Sequence, residues 1–207
     1  MRAEGMAIFV VVLCGLVACG CQAVGLAGDR APEVLPLQGV RVAIITGEGF
    51  HSTEAMMPLA MLANRGAEVT VVGPATGRIT AYNEDVDLLV HKAAADVSAD
   101  DFDALVLPGG TAPGDIRQND DVVALARGIY EAGKPVAAIC HGPLVLVSAG
   151  VVDGCTMTGI SGVADELREA GATYKDEAVV RDGNLVTSRL PNDIPAWLAA
   201  FEALLTE

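Results

Sequence analysis

Cysteine is scarce in this chain. Of 207 residues five are cysteine, and three of those, Cys14, Cys19 and Cys21, fall within the first 21. Only Cys140 and Cys155 remain for the rest, too few for a disulfide framework, and no bridge between them is expected. There is no Cys-x-x-Cys pair and no His/Cys cluster with zinc spacing, and the histidines number three, His51, His91 and His141. No metal site and no cofactor are therefore expected. Positive charge is equally short: 13 Lys and Arg stand against 27 Asp and Glu, a net charge of −14, with no basic cluster. An acidic surface repels phosphate backbones and anionic lipids, which excludes nucleic acid as an expected partner.

Long apolar runs are also missing. Ala7 to Ala18 is apolar for 12 residues, short of the ~20 that span a bilayer but the right length for a signal-peptide core. Arg2 gives it a positive start, with Glu4 as a blemish. The run ends in Leu16-Val17-Ala18-Cys19, which resembles the bacterial lipoprotein signal. Cys19 is therefore the expected lipidation site and Cys21 the poorer one. Residues 1–19 are expected to be the signal segment and residues 20–38, aperiodic and rich in Gly, Ala and Pro, a flexible tether. Residues 39–207 are then one domain large enough for a sizeable core. The expected location is the cell envelope, with the membrane touched only through the lipid, or the cytoplasm if the start is misassigned.

From Arg41 on, strand and helix patterns alternate. Strands are predicted at Arg41–Thr46, Glu68–Val72, Asp103–Pro108 and Val136–Ile139, with weaker ones near Ile79 and Leu88. Helices are predicted from Ser52, as cap, to Gly66, and from Asp121 to Ala132. A capped turn is expected at Ser98–Phe102. Beyond Gly150 come a short strand at Cys155–Thr158, a helix at Gly162–Ala170, a hairpin around Asp182-Gly183-Asn184 and a closing helix from Pro195 to Leu205. This order predicts an α/β fold, a mostly parallel sheet covered on both faces.

Ligands of such sheets bind beyond the carboxyl ends of the strands. Three segments converge there: Gly47-Glu48-Gly49-Phe50-His51, Gly109-Gly110 and Cys140-His141. The last is the most informative. Pro135-Val-Ala-Ala-Ile-Cys140-His141-Gly142-Pro143 is an apolar strand that breaks into a thiol, an imidazole and a Gly-Pro helix opening. The thiol thus sits on a strand-to-helix turn, a nucleophile elbow with Cys in place of Ser, where helix N–H groups are expected to lower its pKa. A plain buried cysteine is the alternative.

Ala104-Leu-Val-Leu-Pro-Gly-Gly110, Gly133-Lys-Pro-Val-Ala-Ala-Ile-Cys-His-Gly-Pro143 and Asp182-Gly-Asn-Leu-Val-Thr-Ser-Arg189 together closely resemble the PfpI family. That family was first described as intracellular proteases. It belongs to the superfamily of the Parkinsonism-associated deglycase and the class I glutamine amidotransferases. The resemblance covers residues 40–206. It implies a flavodoxin-like three-layer α/β/α sandwich and a homo-oligomer, dimer or hexamer. It also implies Cys140 as nucleophile, with Glu54 as the acid hydrogen-bonded to its sulfur; without the resemblance, Glu54 reads sooner as a first-turn acid favoured by the helix dipole. His141 either activates the thiol or supplies only its backbone N–H. The N–H groups of Gly110 and His141 are the expected oxyanion donors, and Gly109-Gly110 is also a tight turn. Two departures stand out. His51 occupies a position where many members carry Glu, as a pocket residue or a solvated one. Gly114 replaces the acid that peptidases of the family extend across a subunit interface; Asp115 beside it is the candidate to take that place in the pocket, with a side chain aimed differently.

Three functions follow from these residues. The first is glyoxalase- or deglycase-type hydrolysis of small α-oxoaldehydes or their protein adducts by Cys140. The second is a cysteine peptidase or amidase acting on peptides through Cys140 and His141. The third is a non-enzymatic stress sensor in which Cys140 oxidises.

Overall fold

The computed structural model describes residues 34–207. The apolar run, Cys19 and most of the expected tether lie outside the described residues.

The chain runs β1 (Arg41–Ile45), α1 (Ser52–Asn64), β2 (Glu68–Gly73), β3 (Gly77–Thr80), β4 (Asp87–Val90) and β5 (Lys92–Ala93). It continues through β6 (Ala104–Leu107), α2 (Ala112–Ile116), α3 (Asp120–Glu131), β7 (Val136–Ile139) and α4 (Pro143–Ala149). The last part holds β8 (Thr156–Met157), α5 (Ala164–Glu169), β9 (Thr173–Tyr174), β10 (Val179–Asp182), β11 (Leu185–Ser188) and α6 (Ile194–Leu205).

Seven strands form the central sheet in the order β10-β11-β7-β6-β1-β2-β5. All neighbours are parallel except β10 and β11, the hairpin carried by Asp182-Gly183-Asn184. Alternation along each strand sorts side chains to two faces. Ala43 and Ile45 of β1, with Leu105, Leu107, Val136 and Ala138, pack beneath α3, α4 and α5. Val42 and Ile44, with Ala104, Val106, Ala137 and Ile139, pack against Leu62 of α1 and Ile194, Trp197 and Phe201 of α6. β1, β6 and β7 are apolar nearly throughout because both faces are covered. This is the expected three-layer α/β/α sandwich.

The structure moves several boundaries. The packed unit begins before Gly39. Leu37 is fully buried among Leu62, Ala67 and Trp197, and its N–H donates to the Arg65 carbonyl at 2.9 Å, so the end of the expected tether belongs to the core. Ser52 is the first residue of α1 and not its cap, which is His51. Asn83 instead satisfies Ser52, accepting its N–H and donating to its hydroxyl, each at 3.0 Å. The weak strands near Ile79 and Leu88 are real but pair only with each other, as an antiparallel hairpin outside the main sheet. Strands β5 and β9 and the short α2 had no periodic signal to reveal them.

What this fold does for function lies at one edge. The winding reverses at β1, with β2 on one side and β6 on the other. The segments following β1, β6 and β7 therefore meet beyond the carboxyl ends of the strands.

Candidate active site

Cys140 is the only non-glycine with positive φ among the described residues, at 60°. Such a conformation costs about 1–3 kcal/mol and persists only where the surroundings enforce it. Here they do. The Cys140 N–H donates to Ser188 O at 3.0 Å, its carbonyl accepts from Ile160 N–H at 3.1 Å, and Gly142 N–H turns back to Ile139 O at 2.8 Å. The chain thus leaves β7, turns on the thiol and enters α4 at Pro143.

Glu54 comes from the first turn of α1 and is fully buried. Its Oε2 accepts the Gly109 N–H at 2.8 Å. Its Oε1 is buried with no hydrogen-bond partner among the described residues. The carboxyl lies near Cys140, close enough for each group to alter the proton affinity of the other. Gly109 leaves no room for a side chain: a Cβ there would stand 2.6 Å from both Cys140 Cβ and Glu54 Oε2. Gly110 has φ +94°, which only glycine adopts without strain. The Gly110 and His141 N–H groups lie close enough to the Cys140 sulfur to lower its proton affinity, which sets both expected oxyanion donors beside the thiol. His141 is half-buried, with Nδ1 3.4 Å from Cys140 Sγ. Among the described residues no carboxylate hydrogen-bonds its ring.

The expected low thiol pKa is not found. Burial, and then the negative charge of Glu54, push Cys140 up to about 12, against the pull of the Gly110 and His141 N–H groups. Desolvation of the thiolate outweighs two backbone dipoles. Burial likewise lifts Glu54 from 4.5 to about 7, against the hydrogen bond from Gly109 and the smaller pull of the neighbouring thiol. Burial lowers His141, so its imidazole is neutral at neutral pH. The resting site is therefore a thiol beside a carboxyl that exchanges its proton near neutrality, and not a preformed thiolate–imidazolium pair.

A stability consequence follows. The folded state holds the Glu54 proton more tightly than the unfolded chain, so between pH 4.5 and about 7 it binds more protons. Stability contributed by the protonated carboxyl is present below that window and is lost as pH rises through it, by up to about 3 kcal/mol. Chemical denaturation at intervals across this range should show wild type losing stability with rising pH and Glu54→Gln lacking that component. Parallel profiles for the two proteins would contradict it.

The remaining expected residues divide. His51 reaches the rim: its N–H donates to Gly109 O at 3.1 Å, its Nδ1 contacts Thr53 Oγ1 at 3.2 Å, and burial lowers its pKa. Asp115 does not join the thiol. Ala112, Pro113 and Ile116 of α2 face inward, leaving Gly114 and Asp115 exposed. Asp115 lines a separate cleft of about 510 Å³ with Glu48, Pro74, Ile79 and Ile116, which contains neither Cys140 nor Glu54. Cys155 is a free thiol in contact with Tyr130 Oη at 3.1 Å, unbridged to Cys140. Sequence reasoning missed Tyr82. It follows a weak strand in a loop without periodicity, yet its ring meets His51 edge-on with centroids 5.7 Å apart. The negative charges of Cys140 and Glu54 are close enough to hold the Tyr82 proton more tightly, although burial does most of that.

Comparison with known proteins gives the same frame. The model of the DJ-1/PfpI family matches residues 40–203. A protein named deglycase from Thermococcus kodakarensis is 44% identical over 169 residues, 80% of this chain and 99% of its own length. The deglycase PfpI of Pyrococcus furiosus is 41% identical over 169 residues, with the same shares covered. Among solved structures, a two-domain protein of Anabaena variabilis with DJ-1/ThiJ/PfpI-like and ferritin-like domains superposes with a TM-score of 0.78 at 35% identity. The match covers 80% of this chain and 48% of that one, so this chain spans about half its length.

Proposed function

The chain belongs to the DJ-1/PfpI family, and from that premise we propose that it is a cysteine-nucleophile enzyme of deglycase or glyoxalase type. Its substrates are small α-oxoaldehydes, such as methylglyoxal, or their early adducts on side chains. One observation carries this reading: a strained, buried thiol against a buried carboxyl with an unpaired oxygen and a pKa near 7. A general base works best with a pKa near the working pH.

The chemistry is redox-neutral. Glu54 takes the thiol proton as sulfur adds to the aldehyde carbon, giving a hemithioacetal whose oxygen lies toward the Gly110 and His141 N–H groups. The proton on that carbon is then removed and one is returned to the neighbouring carbon, so the first is oxidised as the second is reduced. The thioester so formed is hydrolysed by water, which releases lactate and restores the thiol. Methylglyoxal plus water thus gives lactic acid, with no external oxidant or cofactor. Peptidase chemistry is less well supported, because Gly114 has no side chain to offer and His141 lacks an orienting carboxylate among the described residues.

The test is product stoichiometry. Incubation with excess methylglyoxal, followed by proton NMR, should show one lactate per aldehyde consumed over many turnovers. Consumption that stops at one equivalent of protein without lactate would mean simple thiol trapping and end the proposal.

Attachment at the cell envelope through Cys19 is part of the same reading, supported by Leu16-Val17-Ala18-Cys19 behind an apolar run. A fatty-acid label on the expressed protein should disappear in Cys19→Ala; a label that persists rules that anchor out. Assembly as a dimer or hexamer is likewise proposed from the family and is read by light scattering, where a monomer would refute it.

A further inference from the structure

Helix α1 delivers Glu54, yet no neighbour in sequence caps its first turn. A helix N-terminus leaves backbone N–H groups without partners, and the side chain at the cap ordinarily takes one of them. His51 stands at that position and makes no such bond; its Nδ1 contacts Thr53 Oγ1 instead. The task passes to Asn83, 31 residues beyond Ser52, in the loop between β3 and β4. Asn83 Oδ1 accepts the Ser52 N–H and its Nδ2 donates to Ser52 Oγ, each at 3.0 Å. Asparagine is among the best helix caps, and here it caps from across the fold.

Asn83 is exposed, but its loop is fastened to the chain that leads into α1. Thr80 N–H donates to Glu48 Oε2 at 3.0 Å, and Thr80 O accepts the Gly49 N–H at 2.9 Å. Tyr82 N–H donates to Phe50 O at 3.1 Å, and the Asn83 side chain comes next, on Ser52. Phe50 is fully buried and bridges to Ala81 on one side and to Gly110 on the other. The β3–β4 hairpin lies outside the main sheet and supplies no group to the reaction described above. Its bonds fall instead on residues 48–52, the approach to the helix that carries Glu54.

The consequence lies two residues on. Gly109 is held on both sides by the start of α1: its carbonyl accepts the His51 N–H at 3.1 Å, and its N–H donates to Glu54 Oε2 at 2.8 Å. Ser52 lies between His51 and Glu54 in sequence and is buried. With Oε1 unpartnered among the described residues, the bond to Gly109 does most to orient the carboxyl, which therefore follows wherever the first turn is set. We propose that Asn83 is the positioning residue for Glu54, capping α1 from the hairpin so that the carboxyl stays on the Gly109 N–H and beside the Cys140 thiol. This rests on the function proposed above, in which Glu54 takes the thiol proton, and adds the residue that keeps it in place. Without the cap the first turn frays and water reaches the carboxyl. Burial is what raises Glu54 to about 7, so a hydrated Glu54 titrates lower.

The experiment compares wild type, Asn83→Ala and Asn83→Asp by two readouts across pH: lactate formation from methylglyoxal, and the rate at which iodoacetamide alkylates the peptide bearing Cys140 in the absence of substrate. Asn83→Ala is expected to lower kcat roughly tenfold on the alkaline plateau, with KM kept within about twofold. In both readouts the rise with pH, at about 7 in wild type, should move to lower pH. Asn83→Asp should recover most of kcat, because its carboxylate can accept both the Ser52 N–H and the Ser52 hydroxyl proton. An unchanged kcat and an unmoved rise in Asn83→Ala overturn the assignment. So does a loss confined to KM, which would make Asn83 a substrate contact, or a lower kcat with the rise unmoved, which would mean only a loosened fold. If wild type makes no lactate but the alkylation profile still shifts in Asn83→Ala, the proposed function falls and the positioning role stands. No lactate and no shift overturn both.

Discussion

Replacing Cys140 by Ser is expected to lower kcat/KM for lactate formation by roughly a thousandfold or more. The hydroxyl fits the volume left by the thiol and tolerates the same backbone, so the far-ultraviolet circular dichroism should not change. What is lost is the nucleophile. A serine hydroxyl beside Glu54 has a proton far harder to remove than that of a thiol, and no neutral group here makes up the difference. Neutral His141 at 3.4 Å offers only a weak base. Cys155 gives the internal control, because it sits away from the site against Tyr130 and Cys155→Ser should keep its activity. Equal activity in Cys140→Ser and wild type would place the chemistry elsewhere.

Glu54→Gln is expected to lower kcat by ~10²–10⁴-fold, the usual worth of a positioned general base. The amide oxygen can still accept the Gly109 N–H, so the loop geometry is kept while the proton acceptor is removed. The pH profile separates this role from a structural one. In wild type the carboxylate is the active form, and burial places its titration at about 7. The rate should therefore rise with pH through about 7 and level off above it. In Glu54→Gln that limb should vanish, leaving a low rate set by the thiol alone. A variant that keeps the limb near 7 would assign the base to another group, with His51 the next candidate.

Much of this was legible in the residues, for physical reasons. Doubly covered strands such as Val136–Ile139 carry continuous apolar sequence, and a Gly-Pro helix opening after Cys140 announces a turn at the thiol. Glycines at 109 and 110 betray close approach and positive φ. What was illegible depends on distance in space. The loss of hydration at Cys140 depends on how deeply α1 and the 109–110 turn bury it, so the local expectation of a low pKa from the helix terminus failed. Asp115 was expected in the pocket because it neighbours Gly114, but the inward face of α2 turns it away. Tyr82 is remote in sequence from every motif and arrives only because Phe50 and Asn83 tie its loop to the site. Leu37 looked like part of a tether because a single buried side chain has no periodicity.

The measurement that tests the central claim most directly is a single turnover. Protein in excess over methylglyoxal is quenched in acid at successive times, and peptides are mapped by mass. The account predicts a methylglyoxal adduct on the peptide bearing Cys140, absent from that bearing Cys155, which forms before lactate and decays at the rate lactate appears. Lactate produced with no adduct on Cys140, or an adduct that outlasts product formation, would contradict covalent catalysis by this thiol.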